Sequence, residues 1–241
     1  VSVSGSALYY DRIVASEAEN FTYSVPAGTG TVSASGKITA GALSCGTGQV
    51  TVSYGGIDKT IPVYILPKFH DIENHWSKSY VEKMGENGIT YGIVTSGLRY
   101  FSPDSNITRE EFFTLMARAM GVDTSKYEST ALPFADTGEI SDWALPSIKA
   151  LYSEGILSGG SVGGQLYASP KSTITRQEAF TLISRLSGNT YPEEEISAAL
   201  SAFEDSGEIA GWARSGIYDM ISRKIVSGYG DGTINPLGNL T

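Results

Sequence analysis

Two arginines in this chain stand where helix chemistry alone would not place them. Ser105 to Gly121 reads SNITREEFFTLMARAMG, and 67 positions later Ser172 to Gly188 reads STITRQEAFTLISRLSG, identical at ten of seventeen aligned positions. In both, Thr is followed three residues on by Glu (Thr108 with Glu111, Thr175 with Glu178), which is the spacing of a capping box. The hydroxyl accepts a backbone N–H of the first turn and the carboxylate reaches back to the Thr N–H, so helix initiation accounts for both residue types. It does not account for Arg109 and Arg176. A cation in the first turn opposes the positive end of the helix dipole, so each Arg calls for a partner. A nearby carboxylate such as Asp71 or Asp136 would serve. So would an anionic ligand, because a helix N-terminus offers unpaired N–H groups and an Arg fork adds bidentate carboxylate recognition.

Other reactive side chains are sparse. The two histidines, His70 and His75, fall in FHDIENHW beside Asp71 and Glu73, and their spacing matches no standard zinc pattern. With a single cysteine, Cys45, no internal disulfide can form; this residue reads as a small buried hydrophobe in a strand. A Ser/His/Asp triad or a Cys/His pair finds little support. Glu193 to Glu195 follow Pro192 and read as the first turn of a helix. The expectation is no metal, no cofactor and no catalytic step in these residues. A formal charge of −9 with only seventeen Lys and Arg argues against nucleic acid as a partner. No apolar run approaches the length of a membrane span.

The elements that position these residues divide the chain in two. Residues 1–66 show strand periodicity: QVTVSY places Val50, Val52 and Tyr54 on one face, TIPVYIL does the same with Ile61, Val63 and Ile65, and Gly55-Gly56 makes the turn. A similar pair of runs flanks Ala34 to Lys37. The expected domain is a small antiparallel β sandwich. From Pro67 the character changes, and helical spacing places Phe112, Leu115, Met116 and Ala119 on one face, with Ala179, Leu182, Ile183 and Leu186 their counterparts.

A repeat underlies this second part. Phe69-x-Asp71, Trp76, Gly88-Ile89, Gly92, Pro103 and Ile107-Thr108-Arg109 recur as Phe134-x-Asp136, Trp143, Gly155-Ile156, Gly159, Pro170 and Ile174-Thr175-Arg176. They recur again as Phe203-x-Asp205, Trp212, Lys224-Ile225, Gly228, Pro236 and Leu240-Thr241. Trp to the Gly or Lys position is twelve residues in every copy and Pro to Thr is five, two fixed spacings that identify three copies of one unit. Trp76, Trp143 and Trp212 and the matching phenylalanines are expected to be core anchors.

This triple pattern resembles the S-layer homology domain, and the runs GTVSASGKITAG and GTGQVTVSYGGIDKTIPVYI resemble the C-terminal half of bacterial immunoglobulin-like domains. The resemblance implies an α+β multidomain chain. Residues 1–66 would be an immunoglobulin-like β spacer, and 67–133, 134–202 and 203–241 three repeats of a mainly α pseudo-threefold domain, the last cut before its second helix. It also implies an extracellular, wall-bound protein that anchors itself through acidic, often pyruvylated, wall polysaccharide held in inter-repeat grooves. Arg109 and Arg176 would meet the acidic group. Gly92, Gly159 and Gly228 would supply either positive φ or close backbone approach to a sugar. Tyr229 would stack on a pyranose face, with Asp231 shaping the turn beside it. Alternatives are a surface lattice that self-associates through its repeats, or the tail of a wall-active enzyme with its catalytic module upstream. Because the third copy lacks its Arg and second helix, the natural chain is expected to continue beyond Thr241.

Overall fold

The computed structural model describes residues 6–9, 12–15, 21–27, 29–41 and 45–241, the first two segments as backbone only. Its contacts divide it into two compact units, Val1–Pro103 and Asp104–Thr241.

In the first unit β1 (Ser6–Tyr9) pairs antiparallel with β2 (Arg12–Ala15). β3 (Thr22–Ser24) is followed by β4 (Gly30–Val32) and β5 (Ile38–Ala40), which form their own two-stranded sheet, and by the long β6 (Gly46–Tyr54) and β7 (Ile57–Ile65). β6 lies between β3 and β7, so the strands ahead of Pro67 make small separate sheets. Tyr54 and Ile57 close the hairpin across Gly55 and Gly56, whose φ of 57° and 80° match the strand twist that two-residue turns require. Period-2 alternation puts Val50 and Val52 into a core with Phe21. Cys45 is half-buried and immediately precedes β6. Beyond it, α1 (Lys78–Glu86) and the hairpin of β8 (Ile93–Thr95) and β9 (Leu98–Tyr100) enclose Phe69, Ile72 and Val81, and the Tyr64 hydroxyl donates to the Gly85 carbonyl at 3.0 Å.

The second unit holds α2 (Arg109–Ala119), α3 (Leu145–Ser153), the hairpin β10 (Gly160–Val162) and β11 (Gln165–Tyr167), α4 (Arg176–Ser184), α5 (Glu193–Leu200) and α6 (Arg214–Ser222). α2 packs on α3, and α4 packs on α6, so each repeat's second helix buries itself against the first helix of the next repeat. Of the expected helix faces, Phe112, Met116, Ala179 and Leu182 are buried, and burial extends to a second side of each helix. Phe113 and Ala117 are fully buried while Ala119 and Leu186 are exposed, because α2 and α4 each carry apolar contacts on two sides. Ala179 and Leu182 enter one core with Ile148 and Leu151, and Phe180 enters a second with Ile217 and Met220.

A closed ring of main-chain bonds joins the three Ile-Thr-Arg positions. Ile107 N–H donates to Leu240 O (3.0 Å), Leu240 N–H to Ile174 O (2.9 Å), and Ile174 N–H to Ile107 O (3.1 Å). Three equivalent residues each donate to the next, which gives this unit a local pseudo-threefold centre. The ring also sets what the helices begin on. Arg109 N–H and Glu110 N–H donate to Ser172 O and Pro170 O, and Arg176 N–H and Gln177 N–H to Gly238 O and Pro236 O. The first-turn donors of α2 and α4, expected to be open to an anion, are therefore already used by the following repeat.

The Phe-x-Asp aspartates form clamps rather than partners for the arginines. Asp71 accepts from Phe101 N–H (2.9 Å) and Ser102 N–H (2.6 Å). Asp136 takes Ala168 and Ser169 in the same way (2.9 and 2.7 Å), and Asp205 takes Ile234 and Asn235 (2.9 and 2.7 Å). Ser102, Ser169 and Asn235 each precede a proline and carry φ of 61°, 50° and 51°, a left-handed conformation that costs a non-glycine residue about 1 kcal/mol or more. Each carboxylate holds such a turn just ahead of an Ile-Thr-Arg segment.

The tryptophans overturn the core expectation. Trp76, Trp143 and Trp212 are 78%, 52% and 59% exposed. Each lies just ahead of a first helix, where the inward positions are taken by Ile72, by Ile140 with Ala144, and by Ile209 with Ala213, all buried. The indoles are left on the surface.

Candidate functional site

The second unit contains a cleft of about 500 Å³ bounded by Arg109, Glu178, Arg185, Gly159 and Trp212. These residues come from all three copies of the repeat. The start of α2 gives Arg109, the loop before β10 gives Ser158 and Gly159, β10 gives Gly160 and Ser161, α4 and its C-cap give Glu178, Thr181 and Arg185, and the turn before α6 gives Trp212.

Arg109 finds its partner across the repeat boundary. Its Nη1 pairs with Glu178 Oε1, its Nε donates to Ala168 O (2.8 Å), and its guanidinium lies 5.3 Å from the centre of the Phe113 ring. The side chain is 11% exposed and that of Glu178 is 29% exposed. Glu178 also starts a helix, since its Oε2 accepts from Thr175 N–H and Thr175 Oγ1, both at 2.8 Å, to close the box on α4. Thr108 and Glu111 close the corresponding box on α2. The capping assignments hold, and the partner of Arg109 is the capping carboxylate of the next repeat instead of Asp71 or Asp136.

Arg176 is held differently. Its guanidinium lies 4.9 Å from the ring centres of both Phe180 and Tyr229, with Nε donating to Ile234 O at 3.1 Å. No carboxylate pairs with it among the described residues. The structure thus brings Arg176, Gly228 and Tyr229 together, apart from the cleft that holds Arg109 and Gly159. Tyr229 is half exposed and its ring already covers the Arg176 cation. Asp231 accepts from Thr233 N–H (3.0 Å) and Thr233 Oγ1 (2.7 Å), which makes it a turn former, and these bonds hold its carboxyl below the ordinary carboxylate value.

Gly159 has φ of 74°, and a Cβ there would stand 2.6 Å from Phe134 Cε1 and 2.9 Å from Tyr167 O. Gly92 and Gly228 meet Phe69 and Phe203 in the same way. Conformation and ring packing account for these glycines, and in the cleft the result is a bare strip of backbone from Gly159 to Gly160. Gly92 lies in the first unit.

Arg185, near the C-terminal end of α4, is a cleft residue that the sequence did not single out. A signal for it exists, because Arg118 and Arg185 match in the seventeen-residue alignment, at the far end of the helix from the capping box. Its Nη1 donates to Ile156 O and, at 3.4 Å, to Ser158 Oγ. It is exposed, and no carboxylate pairs with it among the described residues.

The sequence pattern of the S-layer homology domain matches residues 68–113, 133–180 and 202–241, more than half of the chain. The chain is 26% identical over 199 residues to the exoglucanase XynX of Acetivibrio thermocellus, covering 80% of the chain and 17% of that protein. It is 27% identical over 142 residues to the cellulosome-anchoring protein of the same organism, covering 58% of the chain and 30% of the relative. To the surface-layer 125 kDa protein of Lysinibacillus sphaericus it is 25% identical over 118 residues, 48% of the chain and 10% of the relative. The chain spans less than a third of the length of each of these relatives.

Proposed function

The chain belongs to the S-layer homology domain family, and on that premise we propose that it is a non-covalent anchor that holds its parent protein to the bacterial cell wall by binding an acidic wall polysaccharide in the Arg109–Arg185–Trp212 cleft. The location is the cell surface, where the family works. No helix of the described residues is long and apolar enough to cross a membrane. We assign no catalytic step to these residues. The likeness to an exoglucanase runs through its S-layer homology segment, and a substrate is not carried over with it.

The observation that carries the reading is the cleft itself: an exposed indole, a strip of glycine backbone and two guanidiniums converge from three repeats. An indole face suits the C–H face of a pyranose, bare backbone and serine hydroxyls suit its hydroxyl rim, and a guanidinium suits a carboxylate. Sugar-ring stacking also supplies a reason for tryptophans to be held outside the core. The acidic group, in this reading, is a pyruvate ketal. Residues 1–66 serve as an immunoglobulin-like spacer, and 67–133, 134–202 and 203–241 as the repeat units.

Co-sedimentation with purified wall sacculi tests this. The chain should pellet with intact sacculi and stay in solution after the acidic polymer is stripped. Trp212→Ala should fold normally and lose most of the binding. Pelleting with stripped sacculi would sink the proposed ligand.

A further inference from the structure

The geometry points to Arg185, rather than Arg109, as the residue that selects the negative charge of the ligand in this cleft. The inference rests on the wall-saccharide reading above. Arg109 has its cation neutralised by Glu178, its Nε committed to Ala168 O, and its plane lying near the Phe113 ring. An anion that approached it would meet the partly exposed Glu178 carboxylate on the same wall. The backbone donors at the start of α2 offer no alternative, because Arg109 N–H and Glu110 N–H already bond to Ser172 O and Pro170 O.

Arg185 lines the same cleft without a carboxylate among the described residues. Its guanidinium bonds to Ile156 O and Ser158 Oγ are both made by Nη1. A guanidinium has five N–H donors in a fixed fork. With Nη1 tied to the loop, Nε and Nη2 remain as a parallel pair, the edge that takes a carboxylate in two bonds. The loop bonds also restrain the side chain before ligand arrives, which lowers the ordering needed on binding. Trp212 then provides the ring platform and Arg185 the charge discrimination, so an acidic saccharide and its neutral counterpart should be told apart by Arg185 alone. Glu178 acts as a positioning residue that keeps Arg109 structural.

Titration calorimetry on the full chain tests the assignment, with a methyl glycoside bearing a pyruvate ketal and the methyl ester of the same compound. The parent should prefer the acid by about 10- to 100-fold, the range expected for a charge-assisted pair of bonds. Arg185→Gln should bind acid and ester equally, at the parent's ester affinity, and Arg185→Lys should fall between, having the charge without the fork. Circular dichroism of each variant reports retention of fold. An Arg185→Gln chain that keeps the parent's acid-to-ester ratio overturns the assignment. So does a parent that pellets with wall sacculi yet binds neither glycoside, an outcome that leaves the anchoring reading standing. A parent that does not pellet overturns both.

Discussion

Arg109 and Glu178, 69 residues apart, form an ion pair in which the carboxylate simultaneously caps the helix that follows it. One carboxylate therefore ties the first repeat to the second and starts α4. Glu111, which closes the matching box on α2, has no ion pair among the described residues. Glu111→Ala should cost about 1 kcal/mol, the worth of a cap. Glu178→Ala should cost about 3 kcal/mol, because it also leaves a nearly buried guanidinium without its counter-charge. Urea unfolding of the two variants makes the comparison, and equal losses would show that the inter-repeat pair contributes nothing.

The aspartate clamps carry a second prediction. Removal of the Asp136 carboxylate leaves Ala168 N–H and Ser169 N–H without acceptors beside a left-handed serine. Asp136→Ala should lose about 3 kcal/mol, and Asp136→Asn, which keeps one acceptor oxygen, should lose about half of that. The same denaturant midpoints report it; an Asn variant as unstable as the Ala variant would mean that charge, not bond geometry, holds the turn.

Lys224 occupies the position that glycine fills in the other two copies, and does so at φ of 58°. Lys224→Gly should raise stability by about 0.5–1 kcal/mol, the relief of left-handed strain being partly offset by a freer unfolded chain. The reverse change at Gly155, where φ is 72° and a Cβ would meet nothing within 4 Å, should lower stability by about 1 kcal/mol. Thermal melts of both variants check the pair of signs.

Two buried carboxylates set the acid limit. For Glu110, burial pushes the carboxyl up, but bonds from Lys171 and Ser141 outweigh it and hold the group below its ordinary value. For Asp219, burial is likewise outweighed, here by Tyr191, Asn189 and Arg223. A depressed folded pKa means that the unfolded chain takes up the proton first. The stabilisation is complete above the unfolded carboxylate value of ~4 and is lost as pH falls through the folded value. Unfolding midpoints should therefore drop steeply below about pH 4. Asp219→Asn should cost about 2 kcal/mol near neutrality and make the acid drop shallower. A variant whose midpoint tracks the parent at every pH would show that Asp219 plays no part.

The sequence was most legible where structure is local. Capping boxes at Thr108 and Thr175, the Gly55-Gly56 turn and the acidic first turn of α5 behind Pro192 all depend on residues within a few positions of one another. The three copies could be aligned because Trp, Pro and Thr keep fixed spacings, each tied to the same turn or helix start. Face periodicity located α2 and α4 and the buried Phe112, Met116, Ala179 and Leu182, but not the second buried side at Phe113 and Phe180, since a helix covered on two sides has no single apolar face.

What the sequence by itself determined is thus the repeat, the helix starts and the turns, because these follow from backbone preference and short-range hydrogen bonds. Tertiary structure alone decided which residues meet: that Ile107, Ile174 and Leu240 close a ring, that Arg109 pairs with the next repeat's Glu178, that the tryptophans stay outside, and that Arg185 reaches the cleft. The physical reason is distance along the chain. A cap is chosen by its neighbours three residues away, whereas an ion pair between residues 109 and 178 exists only once the packing of α2 on α3 and α4 on α6 has brought separate repeats together.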